Sequence, residues 1–393
     1  MRPTYTTRDS FNETLCILKA TFAAGRTKDL AWRKWQLKQL WWMIVDNEQR
    51  IINALKHDLN RSEAESRRLE LFTLKEDILS TLKSFEAWAA DEKPGSWMSL
   101  NRMLGVRIRK DPLGVALIIG SWNYPFLLLL QPVVAAIAAG CCVVMKPSEL
   151  ATASEQLLAE LVSTYLDGSA VMLATGGPEE MTWILECQYN HIFFTGSSRT
   201  ARVIAAAAAR HLTPTVLELG GQGPAIVCKT ADVDLAAKRI AWAKTVNAGQ
   251  ICLTVNHVFA DPCIYDEFAQ RLRHWMTVFA AQSGGLPSII NERHFDRVQG
   301  LLGSTHGTVI SLGQADRARL AIPLTMVTNV TLKGTFKPLD PHSLMSQELF
   351  GPICPVIKAT TVEAQTSIAG YVMRWVGLLW GTHELGGRTH DQV

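Results

Sequence analysis

The stretch from Leu113 to Met145, "LGVALIIGSWNYPFLLLLQPVVAAIAAGCCVVM", holds no charged residue. It is long enough to cross a bilayer. Gly120, Asn123, Pro125, Gln131 and Pro132 interrupt it, however, so no half keeps a clean apolar span. A buried strand, a turn, a helix and a second strand explain it better. "VALII" (115–119) and "CVVMK" (142–146) read as strands buried on both faces, with an alanine-rich helix around 133–139 between them.

The same alternation continues downstream. "HIFF" (191–194) reads as a strand, followed by "TGSS" and the strongly helical "RTARVIAAAAARH"; "TVLEL" (215–219) and "AIV" (225–227) follow. Strands alternating with helices imply βαβ units and a parallel sheet. Such sheets bind ligands beyond the strand C-termini. Here each strand ends in an unusual loop, at 121–126, 147–149, 195–197 and 220–223, so these loops are expected to meet in one crevice. Upstream, residues 8–92 read as helices. Trp35, Leu37, Leu40, Trp41 and Ile44, then Ile51, Ile52, Leu55 and Leu59, approximate a 3.6-residue repeat. Ser62 with Glu65 is a capping-box signature for the next helix, whose stripe runs through Leu69, Phe72, Ile78, Leu79, Leu82 and Phe85 to a stop at "DEKPG".

Length and composition bound the function. A chain of 393 residues suggests two or three domains of roughly 100–200 residues. A net charge of +3 is too small to argue for nucleic acid or an anionic membrane. Eight cysteines without C-x-x-C spacing, behind an N-terminus with no secretory pattern, imply reduced thiols, a cytoplasmic location and no metal site. Asn12, Asn60 and Asn329 head glycosylation sequons that are chance matches in that setting. There is no G-x-G-x-x-G, G-x-x-x-x-G-K-[ST], H-E-x-x-H or G-x-S-x-G, which disfavours common nucleotide kinases, zincins and α/β-hydrolases.

What remains is an ordered set: "SWNYPF" (121–126), "KPSE" (146–149), "FTGS" (194–197), "LELGG" (217–221), "GQIC" (249–252) and "QELFGP" (347–352). Singly, each has a plain structural explanation: Pro147 ends a strand, Gly196 makes a turn, Asn123 caps a helix, Cys252 is a core thiol, Glu218 bonds nearby backbone. Together and in this order, they resemble the aldehyde dehydrogenase superfamily, most closely its class 3 branch, with a flavour of fungal members that include apocarotenal and fatty aldehyde dehydrogenases. The resemblance covers roughly residues 10–358. It implies an α/β fold of aldehyde dehydrogenase type. Residues 1–219 would form N-terminal helices and a Rossmann-type NAD-binding domain, and 220–358 a second, incomplete α/β catalytic domain.

The resemblance implies NAD(P)-dependent oxidation of an aldehyde to a carboxylic acid through a cysteine thiohemiacetal and an acyl thioester. Cys252 falls on the nucleophile, Glu218 on the general base and Asn123 on the oxyanion donor. A thiolate adds readily to a carbonyl and leaves a hydrolysable thioester. Leu217 and Leu219 are expected to enclose Glu218 in apolar surroundings, which favour a protonated carboxyl. Lys146 and Glu149 fall on the residues that hold the adenosine ribose; a carboxylate there accepts hydroxyl protons and repels a 2′-phosphate, favouring NAD, with NADP also possible. Gly196 and Ser197 stand at a helix N-terminus suited to a pyrophosphate. Glu348 and Phe350 match the residues at the nicotinamide ribose and ring, Trp122 lines the cofactor or substrate side, and Gly220 and Gly221 let backbone approach the nicotinamide. The substrate is expected to be a small-molecule apolar aldehyde. Nucleic acid and metal are not expected as partners.

The resemblance stops near Ala359. Residues 359–393 match nothing, where the family continues with further strands and an oligomerisation segment. The expectation is a C-terminally truncated member with exposed sheet edges, partly covered by Trp375, Leu378, Leu379 and Trp380. The family's homodimer is in doubt here, the segment 96–110 lacking its C-terminal partner strand. The alternative reading is an inactive truncated fragment that retains dinucleotide binding only.

Overall fold

Runs of β-branched and apolar residues become strands, and the amphipathic segments between them become helices. A computed structural model describes residues 5–93, 104–282, 285–330, 344, 345, 347–361 and 363. The chain begins with helices α1 (Arg8–Ala23), α2 (Leu30–Asp46), α3 (Glu48–Leu59), α4 (Glu63–Ser66) and α5 (Thr73–Ala89), the last two joined by a π-helical segment, Arg67–Phe72. Then come β1 (Val115–Ile119), α6 (Leu127–Ala139), β2 (Cys142–Lys146), α7 (Thr152–Tyr165), β3 (Val171–Leu173), α8 (Pro178–Ile184), β4 (His191–Gly196), α9 (Ser198–Ala209) and β5 (Thr215–Leu219). The rest comprises β6 (Pro224–Val227), α10 (Val233–Thr245), β7 (His257–Ala260), α11 (Tyr265–Gln282), α12 (Glu292–Ser304), β8 (Thr308–Ser311), β9 (Thr325–Thr328) and β10 (Ile353–Lys358).

Among the described residues, two five-stranded sheets result. The first has order β3-β2-β1-β4-β5 and is parallel throughout. The second has order β6-β7-β10-β9-β8, parallel except for the antiparallel β8–β9 pair. The uncharged stretch at 113–145 is β1, α6 and β2, with every residue of both strands buried. Among the described residues, no helix is long and apolar enough to cross a membrane.

The chain divides into two compact units. The first comprises Met1–Gly220 with Pro287–Phe295 and Arg317–Ala321; the second comprises Gly221–Leu286, Asp296–Asp316 and Ile322–Val393. In the first, Leu37, Leu40 and Ile44 of α2 pack in one core with β1, β2 and α6. In the second, Phe268, Leu272 and Met276 of α11 pack with Val258, Met326 and Val356 of three strands. Two short segments that follow the second unit's first strands in sequence, 287–295 and 317–321, thus belong to the first unit, which a linear reading of the chain does not anticipate.

The helical stripe departs from its expected register at two places. Trp35 is 58% and Phe72 59% exposed, whereas Glu70 is fully buried. The π-helical segment explains the second reversal. Its wider turn shifts the face presented after Arg67, so the carboxylate at 70, rather than the ring at 72, points inward. Ser62 does cap α4, accepting the Glu65 N–H at 3.2 Å. Residues 94–103, including much of the 96–110 segment, and Trp375, Leu378, Leu379 and Trp380 lie outside the described residues.

Candidate active site

In the first unit the site follows from strand register. Ile119 pairs with both Lys146 and Phe194, and Leu219 pairs with Gly196. Because the strands are parallel, the loops after β1, β2, β4 and β5 leave from one edge. The chain builds outward from β1 through β2 to β3 and then crosses to β4, so β1 and β4 flank a topological switch point.

The loop after β1 is anchored by residues with no recognisable motif. Arg61 and Glu70, both fully buried, form an ion pair. Arg61 also donates to the Asn123 carbonyl, and its guanidinium lies 4.5 Å from the Tyr124 ring centroid. Glu70 accepts the N–H groups of Phe126 and Leu127, each at 3.0 Å. Burial raises the Glu70 pKa, against the opposing pull of Arg61 and the two N–H groups. These bonds satisfy the first turn of α6, whose N-cap is Phe126. Asn123 is therefore not the cap of that helix; it is buried three residues earlier. Trp122 packs against His294, 5.3 Å between ring centroids, a neighbour that no motif marks.

At the end of β2, Lys146 is buried and donates to the Pro147 carbonyl. Its ammonium lies 3.9 Å from Glu149 and 3.8 Å from Glu155. Burial lowers the Lys146 pKa, and the neighbouring carboxylates oppose that shift. After β4, Ser197 caps α9, accepting the Thr200 N–H at 3.3 Å. A Cβ on Gly196 would come 2.5 Å from the Phe194 ring, so any other residue there would have to displace that ring. Glu218 faces Thr195 across the β4–β5 ladder and is exposed. The apolar enclosure expected from its flanking leucines is absent, because successive side chains of a strand point to opposite faces and the leucines turn the other way.

In the second unit Cys252 follows an unusual turn. Asn247, Ala248 and Gly249 adopt φ of 48°, 52° and 69°, three successive left-handed residues. Such a run is costly for L-residues and persists only where its surroundings impose it. Reciprocal bonds do so here: Asn247 Nδ2 donates to the Gln250 carbonyl at 3.1 Å, and Gln250 Nε2 donates to the Asn247 carbonyl at 3.0 Å. A Cβ on Gly249 would stand 2.4 Å from the Gly351 carbonyl oxygen, so this glycine lets the 249–252 loop lie against the 347–352 loop. The latter is fixed in turn. Asn256 Oδ1 accepts the Leu349 N–H at 2.8 Å, and Arg297 donates to the carbonyls of Glu348 and Leu349 at 3.2 and 2.6 Å. Glu348 accepts the Gly221 N–H at 3.3 Å, and burial raises its pKa. Phe350 is half-buried, with φ 44°.

Lys244 completes this region and was not foreseen. It is fully buried, donates to the Val255 carbonyl at 2.9 Å, and burial brings its pKa down to about 8. Nothing in "WAKTVNAG" separates it from the surface lysines of an amphipathic helix. Cys252 itself is half-buried, and Leu253 beside it is 90% exposed. Burial pushes Cys142 up to about 12 and Cys354 up to about 11, which keeps both as unreactive thiols at neutral pH.

The model of the aldehyde dehydrogenase family matches residues 5–371. The chain belongs to the aldehyde dehydrogenase family. Among its relatives, mouse (Mus musculus) aldehyde dehydrogenase family 3 member B3 is 38% identical over 359 residues, covering 90% of this chain and 73% of that protein. The rat (Rattus norvegicus) protein named aldehyde dehydrogenase, dimeric NADP-preferring, is 37% identical, covering 90% and 77%. The Neurospora crassa beta-apo-4'-carotenal oxygenase is 38% identical, covering 91% and 66%. Among solved structures, Staphylococcus aureus AldH in a substrate-bound state superposes with a TM-score of 0.84 at 29% identity, covering 91% of this chain and 77% of that one.

The aldehyde dehydrogenase family works with NAD or NADP, and the residues at the first unit's sheet edge fit such a group. The helix beginning at Ser198 is 12 residues long and offers its N-terminal N–H groups to an anion. Lys146 and Glu149 supply a donor and an acceptor within one loop.

Proposed function

We propose that Cys252 and Glu218 carry the two halves of the reaction that family membership assigns to this chain, NAD(P)-dependent oxidation of an aldehyde to a carboxylic acid. In this reading the first unit holds the dinucleotide and the second supplies the nucleophile. Lys146 and Glu149 hold the adenosine ribose, and Gly196 and Ser197 receive the pyrophosphate at the start of α9. Gly220, Glu348, Phe350 and Trp122 serve the nicotinamide end.

The observation that carries the reading is the turn before Cys252. Three left-handed residues, two reciprocal side-chain bonds and a glycine packed on a carbonyl fix one half-buried thiol, while Cys142 and Cys354 are simply buried in strands. A core thiol needs no such construction.

The Cys252 thiolate adds to the aldehyde carbon. Charge develops on the carbonyl oxygen, where the Asn123 side-chain amide and the Cys252 backbone N–H donate. Bound NAD(P) supplies the hydride acceptor. Collapse then leaves an acyl thioester on Cys252. Glu218 removes a proton from water, which adds to the thioester carbonyl; the carboxylic acid departs and the thiolate is restored. The exposure of Glu218 supports this role, since water reaches it. Aldehyde, water and NAD(P)+ thus give acid, NAD(P)H and a proton.

An apolar aldehyde is the substrate this reading favours. Leu253 presents an exposed apolar side chain next to the nucleophile, and the Neurospora relative is named for an apocarotenal. All eight cysteines are described and are free thiols, which supports the cytoplasm as the compartment. Dimerisation is expected to depend on the region after residue 358, and sedimentation of the full chain tests it. The comparisons do not favour the inactive-fragment alternative. The experiment is direct: the purified full chain, given NAD or NADP and a panel of aliphatic, aromatic and apocarotenoid aldehydes, produces the reduced cofactor, and Cys252→Ser does not. A serine variant as active as the parent would refute the assignment.

A further inference from the structure

Beside Lys146 lies a carboxylate that no motif flags. Glu155, on the first turn of α7, is 1% exposed. Its Oε1 stands 3.8 Å from the Lys146 ammonium and accepts the Gly176 N–H at 3.1 Å. Its Oε2 is buried and, among the described residues, has no hydrogen-bond partner. Leaving a carboxylate oxygen dry and unpartnered is costly, and a purely structural ion pair would use both oxygens.

The surroundings make the charge balance unusual. Glu149 lies 3.9 Å from the same ammonium. Glu180 accepts the Gly177 N–H at 2.7 Å; burial raises the Glu155 pKa, Lys146 and the Gly176 N–H oppose the rise, and the charges of Glu149 and Glu180 add to it. The Tyr5 phenol feels all three carboxylates. One ammonium therefore faces three carboxylates at the C-terminal ends of β2 and β3. A lysine in this position would be the natural partner for a phosphate on the ribose, but here its charge is already engaged from the buried side.

We infer that Glu155 is a positioning residue that sets cofactor choice: by holding the Lys146 ammonium from beneath, it leaves a ribose site that accepts a free 2′-hydroxyl and rejects a 2′-phosphate. The inference rests on the proposed dinucleotide site and goes beyond it, since that reading allows either NAD or NADP. Glu149 accepts the hydroxyl proton; Glu155 makes no ligand contact and acts through Lys146. The excess negative charge penalises a phosphate dianion far more than a hydroxyl.

The test is calorimetric titration of the full-length chain with NAD and with NADP, without aldehyde, for the parent, Glu155→Gln and Glu155→Asp. The parent is expected to bind NAD at least about tenfold more tightly than NADP, and Glu155→Gln to narrow that ratio by about tenfold, chiefly through tighter NADP binding. Glu155→Asp, which keeps the charge, retains the parent's preference. A merely structural role would weaken both dinucleotides together and leave the ratio unchanged. That result, or a parent that binds NADP as tightly as NAD, overturns the inference while the dinucleotide site stands. If Glu155→Gln fails to give a cooperative melt, Glu155→Met, which removes the charge and keeps the volume, takes its place with the same two outcomes. A parent that binds neither dinucleotide removes the site itself, and this inference with it.

Discussion

In the first unit, Lys146, Gly196 and Glu218 stand at strand ends of one parallel sheet, placed by main-chain register. In the second unit, Cys252 follows a left-handed turn that no sheet supports and that buried side chains must hold: Gln250 and Asn247 within the turn, and Asn256 and Arg297 on the loop packed against it. The first arrangement is a consequence of the fold. The second is a local construction, in which several side chains each fix a few backbone groups. It follows that substitutions around Cys252 should perturb both stability and chemistry, whereas those at the sheet edge should separate the two.

The largest effect is expected at the reactive atom. Cys252→Ser should lower turnover by about a thousandfold or more with dinucleotide binding kept, because a hydroxyl is a far weaker nucleophile at neutral pH; steady-state rates with parallel NAD titrations check this. Next, Glu218→Gln should lower turnover by about 10²–10⁴-fold, with a rapid burst of NADH retained before the slow phase. Stopped-flow absorbance separates the two phases, and an absent burst would move Glu218 into the first half-reaction.

The turn itself is probed by Gly249→Ala. A methyl group there meets the Gly351 carbonyl in a backbone that already disfavours side chains, so a loss of about 3–4 kcal/mol is expected in denaturant melts. An alanine variant as stable as the parent would mean that the two loops are not packed as described. Lys244 supplies a pH test of the same region. Its ordinary pKa of 10.5 falls to about 8 in the folded chain. Between those values the unfolded chain holds a proton that the folded chain has released, so this group's contribution to stability rises with pH across that window. Relative to Lys244→Met, the parent should gain up to about 3 kcal/mol from pH 8 to 10.5, and parallel difference curves would contradict the burial of Lys244. Smallest, Ser197→Ala removes the cap of α9 and should cost about 1 kcal/mol, with weaker binding of dinucleotide but an unchanged response of Cys252 to thiol reagents.

How much of this was legible in the sequence follows the same division. "VALII" and "CVVMK" became β1 and β2 with the same bounds, because a strand buried on both faces writes itself as a continuous apolar run, and "TVLEL" became β5, whose alternate residues are exposed. The loop residues at their ends could be named from motif order alone. Arg61, Glu70, Glu155 and Lys244 could not. Glu70, Glu155 and Lys244 lie in helices and Arg61 in the link between α3 and α4, settings where charge ordinarily means solvent, and burial depends on partners outside the local element: Arg61 on the Asn123 carbonyl, Lys244 on the Val255 carbonyl. The π-helical segment before Phe72 shifted the helical face by a change that a 3.6-residue pattern does not register. For Glu218, the flanking leucines suggested enclosure, but alternation along β5 puts the carboxylate on the exposed face.

The most direct test traps the intermediate. Glu218→Gln is mixed with NAD and an aldehyde, quenched in acid during the slow phase, and examined by intact-mass and peptide mass spectrometry. One acyl group per chain on the peptide containing Cys252 is the predicted result. An unmodified Cys252 after NADH has formed, or the acyl group on any of the other seven cysteines, would contradict the account.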